Sequence, residues 1–300
     1  MSLKLNPLHP LFAAEASGVD ITKPLSPQMV DAIDDAMNRY AVLVFRGQPL
    51  SQDEQMAFTL SFGPLDLGFK KASNQHARLK YKELADISNV AEDGEIAERS
   101  HRRIVNNMAN QLWHSDSSFQ NPPARYSMLH SVVNPSSGGE TEFADLRAAY
   151  DGLDAGLLAE IEGLEAEHFA LHSRFMLGDT DYTQQQIDAI PRVRWPLIRT
   201  HPGSGRKLLF VGVHASHIEG LPVAEGRVLL SDLLEHATQP AYVYRHRWQV
   251  GDLVIWDNRC TVHRGRRYDL SQRRELRRST TLDVDRADVH ALASEASVVY

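Results

Sequence analysis

Trp113-His114-Ser115-Asp116 places an imidazole and a carboxylate two residues apart. In an extended segment residues i and i+2 project from one face, so His114 and Asp116 can converge on a single ion. The chain holds 14 histidines, so about one His-x-Asp pair arises by chance, and the pair needs a third ligand before it carries weight. His263 is the candidate. It closes a run in which Gly251-Asp252 opens a strand over Leu253–Trp256 and Asp257-Asn258 turns the chain back into Cys260–His263, predicting a hairpin with His263 on its rim. Two histidines and one carboxylate on one face of a metal leave three adjacent positions open. That arrangement suits non-haem Fe(II), which must bind a cosubstrate and O₂ together, whereas zinc prefers a closed or nearly closed tetrahedral set.

A second group is the arginine run Arg264, Arg266, Arg267, Arg273, Arg274, Arg277 and Arg278. A solvated basic face or a nucleic-acid patch is the plain reading of such a run, but the net charge of −7 works against nucleic acid. Strand alternation through Leu276 puts Arg274, Leu276, Arg278 and Thr280 on one face. Guanidinium groups facing a pocket need anions, and their shape suits carboxylates. Two inward arginines therefore imply two carboxylate ligands or one dianion.

The elements that must position these groups follow from patterning. Ser26-Pro27 predicts a helix start, with Val30, Ile33, Met37 and Tyr40 at helical spacing to about residue 40. Ala41–Phe45 reads as a buried strand, and Ser51 with Glu54 has the capping-box spacing for a helix over about 52–62. Further strands are expected at Tyr126–Val133, Leu208–Val213, Ala241–Trp248, Leu253–Trp256 and Leu276–Leu282, and helices near 145–152, 154–166 and 222–237. The pattern points to a mainly β chain with flanking helices, an antiparallel sandwich in one domain over residues 1–300. The polar stretch 64–110 is expected to be an active-site lid, and residues 287–300 a tail. At 42% hydrophobic and 24% charged the composition is that of a globular chain; one cysteine, Cys260, excludes an internal disulfide and a cysteine-built zinc site. No apolar run approaches a membrane span and the N-terminal residues lack a secretory h-region, so the expected location is cytoplasmic, without membrane or nucleic-acid partners.

These residues together resemble the Fe(II)/2-oxoglutarate-dependent dioxygenases of the taurine dioxygenase superfamily. The resemblance is carried by His114-x-Asp116, Gly138-Gly139-Glu140-Thr141, Trp256-Asp257-Asn258-Arg259 leading to His263, and Arg274 eleven residues later. Asn6–Phe12, Val42–Ser51, Asn110–Phe119 and Tyr244–Trp248 extend it over most of the chain, toward members that act on aryloxyacetates. It implies a double-stranded β-helix (jelly-roll) core, with His114, Asp116 and His263 holding Fe(II), and Thr141 and Arg274 binding the distal carboxylate of 2-oxoglutarate. Arg278 is then free for the carboxylate of an organic substrate. Lys71, or its neighbour Lys70, and His201 are expected at the substrate entrance, and Asn110 as a hydrogen-bonding partner near the first ligand. His9, His214, His217 and His246 read as structural, and Cys260 as lying near the oxidant.

The activity implied is hydroxylation of the carbon beside the ether oxygen of an aryloxyacetate such as 2,4-dichlorophenoxyacetate, giving a phenol and glyoxylate while 2-oxoglutarate and O₂ become succinate and CO₂. Ascorbate stimulation and a homo-oligomer are implied with it. The alternatives are a sister enzyme for a sulfonate, an aryloxypropionate or another aromatic carboxylate, a non-catalytic jelly-roll sensor, and a zinc hydrolase. The open facial triad and the lack of a separate general base weigh against the last.

Overall fold

A computed structural model of the protein describes residues 2–67 and 78–284. β1 (Lys4–Pro7) and β2 (Ala14–Ser17) pair at the edge of a large sheet. Ser26 then accepts the Met29 amide and α1 (Pro27–Tyr40) begins with proline in its first turn, where a missing N–H costs nothing. α1 ends at Ala41 in the left-handed conformation, and β3 (Val42–Phe45) follows at once. The reciprocal Ser51 and Glu54 capping box forms and opens α2 (Gln52–Leu60).

The polar stretch that follows holds more regular structure than its sequence suggests, namely β4 (Ala85–Ser88) and α3 (Arg102–Met108). β5 (Ala124–Val133) and β6 (Thr141–Asp145) lead into α4 (Leu146–Asp151) and α5 (Ala155–Ile161). The helix expected over 154–166 stops early, because Gly163 has φ +77 and the chain enters β7 (Glu165–Phe169). Short elements come next: α6 (His172–Met176), α7 (Gln184–Asp188), β8 (Arg192–Pro196), β9 (Ile198–Thr200), β10 (Lys207–Leu209) and β11 (Ala215–Ile218). Then come α8 (Val223–Ala237), β12 (Val243–His246), β13 (Leu253–Asp257), β14 (Thr261–Gly265) and β15 (Glu275–Leu282). The strands expected at 208–213 and 241–248 are shorter than predicted, the second because Pro240–Tyr242 forms a 3₁₀ turn.

The large sheet runs in the order β1-β2-β3-β13-β5-β15-β4, and a smaller one in the order β12-β6-β14. Leu43, Phe45, Leu253 and Ile255 face α1 and α2, packing with Ile33, Met37 and Phe58. Their neighbours Val42, Val44, Val254 and Trp256 face the other way, toward Leu129, Leu276 and Phe143 of β6. Both faces of these strands are covered, so they read as unbroken apolar runs rather than alternating ones. The smaller sheet is backed in turn by Ala144, Leu146 and Val262, packed against Leu230 and Leu233 of α8.

The predicted hairpin at 253–263 is corrected. β13 pairs with β3 and β5, while β14 pairs with β6, so the turn at Asn258–Cys260 carries the chain from the large sheet to the small one. Sequence patterning shows a turn but not which strand lies beyond it.

His130 of β5 is buried on the helix-covered face of the large sheet, beneath the segment that leads into α2. Arg277, which can only donate, reaches its Nδ1 at 2.9 Å, so the ring accepts there and Nε2–H donates to the Gln48 carbonyl at 2.8 Å. Burial pushes its pKa down to about 4, with the nearby Arg277 charge acting in the same direction. The folded state thus binds this proton less readily than the unfolded chain, and the associated stability is present above pH ~6.5 and lost as pH falls toward ~4. Urea midpoints should show wild type losing about 2–3 kcal/mol more than His130→Gln between pH 7 and 4.5.

Candidate active site

His114 reaches its position through backbone pairing. Its N–H donates to His263 O at 3.0 Å, and the His263 N–H donates to His114 O at 2.8 Å, forming an isolated bridge across the mouth of the sandwich. His114 Nδ1 lies 2.7 Å from Leu112 O, which fixes the proton on Nδ1 and leaves Nε2 as a bare acceptor. Asp116 follows, its amide donating to Asn258 Oδ1 at 3.0 Å. The result joins all three predicted ligands. His114 Nε2 lies 3.7 Å from Asp116 Oδ1, His263 Nε2 lies 3.8 Å from Asp116 Oδ2, and one ligand atom from each residue fits within 4.8 Å of the others.

Electrostatics prepare the same set. Burial lowers the pKa of both histidines, so both rings are neutral, the form that binds a metal. Burial alone would raise Asp116, but the Arg278 guanidinium, helped by the Ser127 hydrogen bond, holds its carboxyl well below the ordinary carboxylate range. Two neutral imidazoles and one carboxylate fit a divalent cation that keeps open positions.

Through His263 the triad borders a cavity lined also by Asn110, Thr141, Trp256, Arg274 and Arg278. Arg274 is at the closed end. It is 7% exposed; among the described residues its guanidinium donates to the carbonyls of Gly139 at 3.1 Å and Ile87 at 3.5 Å and lies over the Tyr268 ring, 5.4 Å from its centroid, while its Nε has no hydrogen-bond partner. Burial pushes its pKa down to about 10, the mark of a cation waiting for an anion. Thr141 stands beside it, its hydroxyl accepting from Trp248 Nε1 at 3.1 Å. Gly139 has φ +72, and a Cβ there would lie 3.0 Å from Arg274 Nε, so glycine is what allows the guanidinium to seat.

The strand alternation holds: Arg274, Leu276, Arg278 and Thr280 share the inner face, while Arg277 and Ser279 face α2 and the residues before it. Arg278, however, is not free. Its Nη1 donates to Asp116 Oδ1, while its Nε has no partner.

Two further expectations are corrected. His201 does not reach the entrance; it is fully buried, 3.0 Å from Asp257 Oδ2 and 2.9 Å from Ser204, beneath the turn between the sheets. Cys260 packs in the core with Leu146 and Val262 rather than lining the cavity, and burial pushes its thiol pKa up. Lys70 and Lys71 lie outside the described residues. Of the histidines read as structural, His246 pairs with Asp252 and His217 lies between Glu167 and Glu219, while His9 stacks edge-on to Phe12. His214 differs. It is fully buried, its ring is edge-on to His114 at 6.1 Å and to Phe119 at 4.9 Å, and its Nδ1 has no hydrogen-bond partner. It lies 100 residues from His114 and no local motif announces it.

The chain belongs to a dioxygenase family: residues 4–280 match the family described as taurine catabolism dioxygenase TauD, TfdA family. The chain is 65% identical over 283 residues, 94% of its own length and 99% of that protein's, to an alpha-ketoglutarate-dependent 2,4-dichlorophenoxyacetate dioxygenase of Cupriavidus pinatubonensis (strain JMP 134 / LMG 1197). It is 37% identical, over 89% of its length and 91% of the other's, to an (S)-phenoxypropionate/alpha-ketoglutarate-dioxygenase of Sphingobium herbicidovorans. Among solved structures, AAD-2 in complex with Mn(II) and N-oxalylglycine superposes with a TM-score of 0.90 at 45% identity, covering 95% of this chain and 99% of that one.

The Gly139 contact gives a direct check on the closed end of the cavity. Gly139→Ala should weaken calorimetric binding of 2-oxoglutarate about tenfold by displacing Arg274, the loss of roughly one charge-assisted hydrogen bond.

Proposed function

We propose that the chain is a non-haem Fe(II), 2-oxoglutarate-dependent dioxygenase with a jelly-roll core that hydroxylates aryloxyacetates such as 2,4-dichlorophenoxyacetate. The observation that carries the class is the His114, Asp116 and His263 cluster, whose His263 borders the same cavity as the buried Arg274. The substrate rests on the 65% identity to a 2,4-dichlorophenoxyacetate enzyme, against 37% for the phenoxypropionate one.

In this reading His114, Asp116 and His263 hold the metal, and bound Fe(II) with O₂ and 2-oxoglutarate supplies the oxidising power that replaces one C–H hydrogen by hydroxyl, releasing succinate and CO₂. The protein's part is orientation. Arg274 and Thr141 grip the distal carboxylate of 2-oxoglutarate, which supplies the anion that the guanidinium lacks. Arg278 spans two acids: Nη1 stays on Asp116 while the unpartnered Nε edge takes the substrate carboxylate. That holds the carbon between carboxylate and ether oxygen near the triad. Its hydroxylated product is a hemiacetal, which collapses to a phenol and glyoxylate. Asn110 adds a polar side chain to the cavity lining, His214 stands edge-on to His114, and Trp256 and Phe143 give an apolar wall against His263.

Residues 1–300 form one catalytic domain in this reading, with 64–110 as its lid. Ile104 and Asn107 of α3, which line the cavity, support the lid. Residues 287–300, the expected tail, lie outside those described. A cytoplasmic homo-oligomer stimulated by ascorbate, without nucleic-acid or membrane partners, completes the proposal; the net charge of −7 supports it for nucleic acid, and no helix among the described residues is long and apolar enough to cross a membrane.

Aerobic incubation with Fe(II), ascorbate and 2-oxoglutarate against aryloxyacetates, aryloxypropionates and sulfonates tests the whole reading, scored by succinate and released phenol. Phenol should appear from 2,4-dichlorophenoxyacetate. Succinate with a sulfonate alone would reject the substrate and keep the class. His114→Ala or Asp116→Ala should abolish succinate formation with the fold intact. Arg274→Gln should chiefly raise the KM for 2-oxoglutarate and Arg278→Gln that for the aryloxyacetate, and the reverse pattern would reject the allocation of the two arginines.

A further inference from the structure

Asp116 is held by more than its arginine. Ser127 of β5 donates its hydroxyl proton to Asp116 Oδ2 at 2.6 Å, and it is fully buried. A serine hydroxyl has one proton and two lone pairs, so its direction depends on what fills the lone pairs. Asn258 Nδ2 donates to Ser127 Oγ at 2.9 Å, and Thr280 Oγ1 stands 3.1 Å away. With its proton on Asp116, Ser127 can only accept from both. The amide orientation of Asn258 is fixed independently, because its Oδ1 accepts from two donors, the Asp116 amide and Trp256 Nε1, each at 3.0 Å. Asn258 therefore has its NH₂ side, and no other, to offer Ser127.

The sheet puts these groups together. Ser127 is the register partner of Trp256 on one side and of Thr280 on the other, in the centre of the order β13-β5-β15. Asn258 is the first residue of the turn that carries the chain to β14 and His263. One residue thus bonds to the backbone and, through Ser127, to the side chain of Asp116.

We infer that Ser127, Asn258 and Thr280 are positioning residues that aim the Asp116 carboxylate. Saturating the Ser127 lone pairs commits its proton to Oδ2. That oxygen is held by a neutral donor that cannot leave, while Oδ1 is held by Arg278, whose long side chain can be drawn toward a second acid. Each carboxylate oxygen also faces one imidazole of the triad, Oδ1 the Nε2 of His114 at 3.7 Å and Oδ2 that of His263 at 3.8 Å, so fixing the carboxylate plane fixes both approaches. Support of this kind typically carries 10–100-fold in metal affinity. The inference rests on the metal-triad reading above, and goes beyond it by naming what orients the carboxylate.

Mn(II) titration of the purified protein, followed by the loss of the free-ion paramagnetic resonance signal, separates the two. Wild type should bind one equivalent and Asp116→Ala none; failure of either result rejects the triad reading. Ser127→Ala should weaken Mn(II) binding about 10–100-fold. Asn258→Asp keeps the shape but turns the donor into an acceptor, which draws the Ser127 proton away from Asp116, so a comparable loss is expected. Thr280→Val preserves volume and removes one donor, giving a smaller loss. Urea midpoints of the metal-free variants show whether a loss of affinity comes without a loss of fold. Ser127→Ala and Asn258→Asp that bind Mn(II) within twofold of wild type overturn the inference and leave the triad standing. If Ser127→Ala does not fold, Asn258→Asp and Thr280→Val, which change no volume, decide the same question.

Discussion

Two backbone hydrogen bonds, exchanged between His114 and His263, are the constraint on which the site depends. The bridge brings together segments separated by 149 positions in the chain, read from the two residue numbers. It sets the rings 4.1 Å apart between centroids before any ion is considered. Ser117, with φ +50, turns the chain directly after Asp116, so the carboxylate stays over the two rings instead of following the strand away. Preorganisation of this kind matters because a metal bound by three protein groups cannot itself supply the entropy of gathering them.

Around that bridge the fold solves the cost of burying charge by the same local device twice. Asp145 and Arg147 lie at the end of β6, Asp257 and Arg259 at the end of β13, and in each pair the arginine folds back on the aspartate two residues earlier. All four are at most 7% exposed. Each pair caps a chain reversal: Asp145 also accepts the Arg147 amide, and Asp257 the Arg259 amide. His201 adds a bond to Asp257, which explains why a histidine in a sequence rich in candidate ligands serves the scaffold. Removing one partner from such a pair leaves an uncompensated buried charge, a loss of roughly 3–5 kcal/mol. The turn that moves the chain from the large sheet to the small one is therefore stiff, and His263 inherits its position from it.

The cavity inverts this logic. Arg274 is buried as deeply as Arg259, but among the described residues it meets two carbonyls and the Tyr268 ring rather than a carboxylate, so an anion entering the cavity would compensate its charge. A net charge of −7 outside and an unpaired guanidinium inside are compatible because the cavity floor is set by its nearest groups rather than by the global field. Arg278 is intermediate: it lines the cavity while one of its nitrogens is committed to Asp116.

Much of this was readable in the sequence because it is periodic or local. Ser26 and Pro27, the Ser51 and Glu54 box, and the inward face of Arg274, Leu276 and Arg278 depend on neighbours within a few residues, and each appears as expected. The candidate ligands His114, Asp116 and His263 were picked out by residue type and by resemblance over the chain, and the fold brings the three together. What the sequence alone determined is which side-chain types are available and which of them share a strand face, since both follow from local geometry. Tertiary structure decided where they stand: that Asp257 turns the chain between sheets and not into a hairpin, that His201 and Cys260 face the core, that His214 stands beside His114, and that Ser127 holds Asp116. Those depend on strand pairings between residues more than a hundred positions apart, and periodicity contains no information about which strand will be the neighbour.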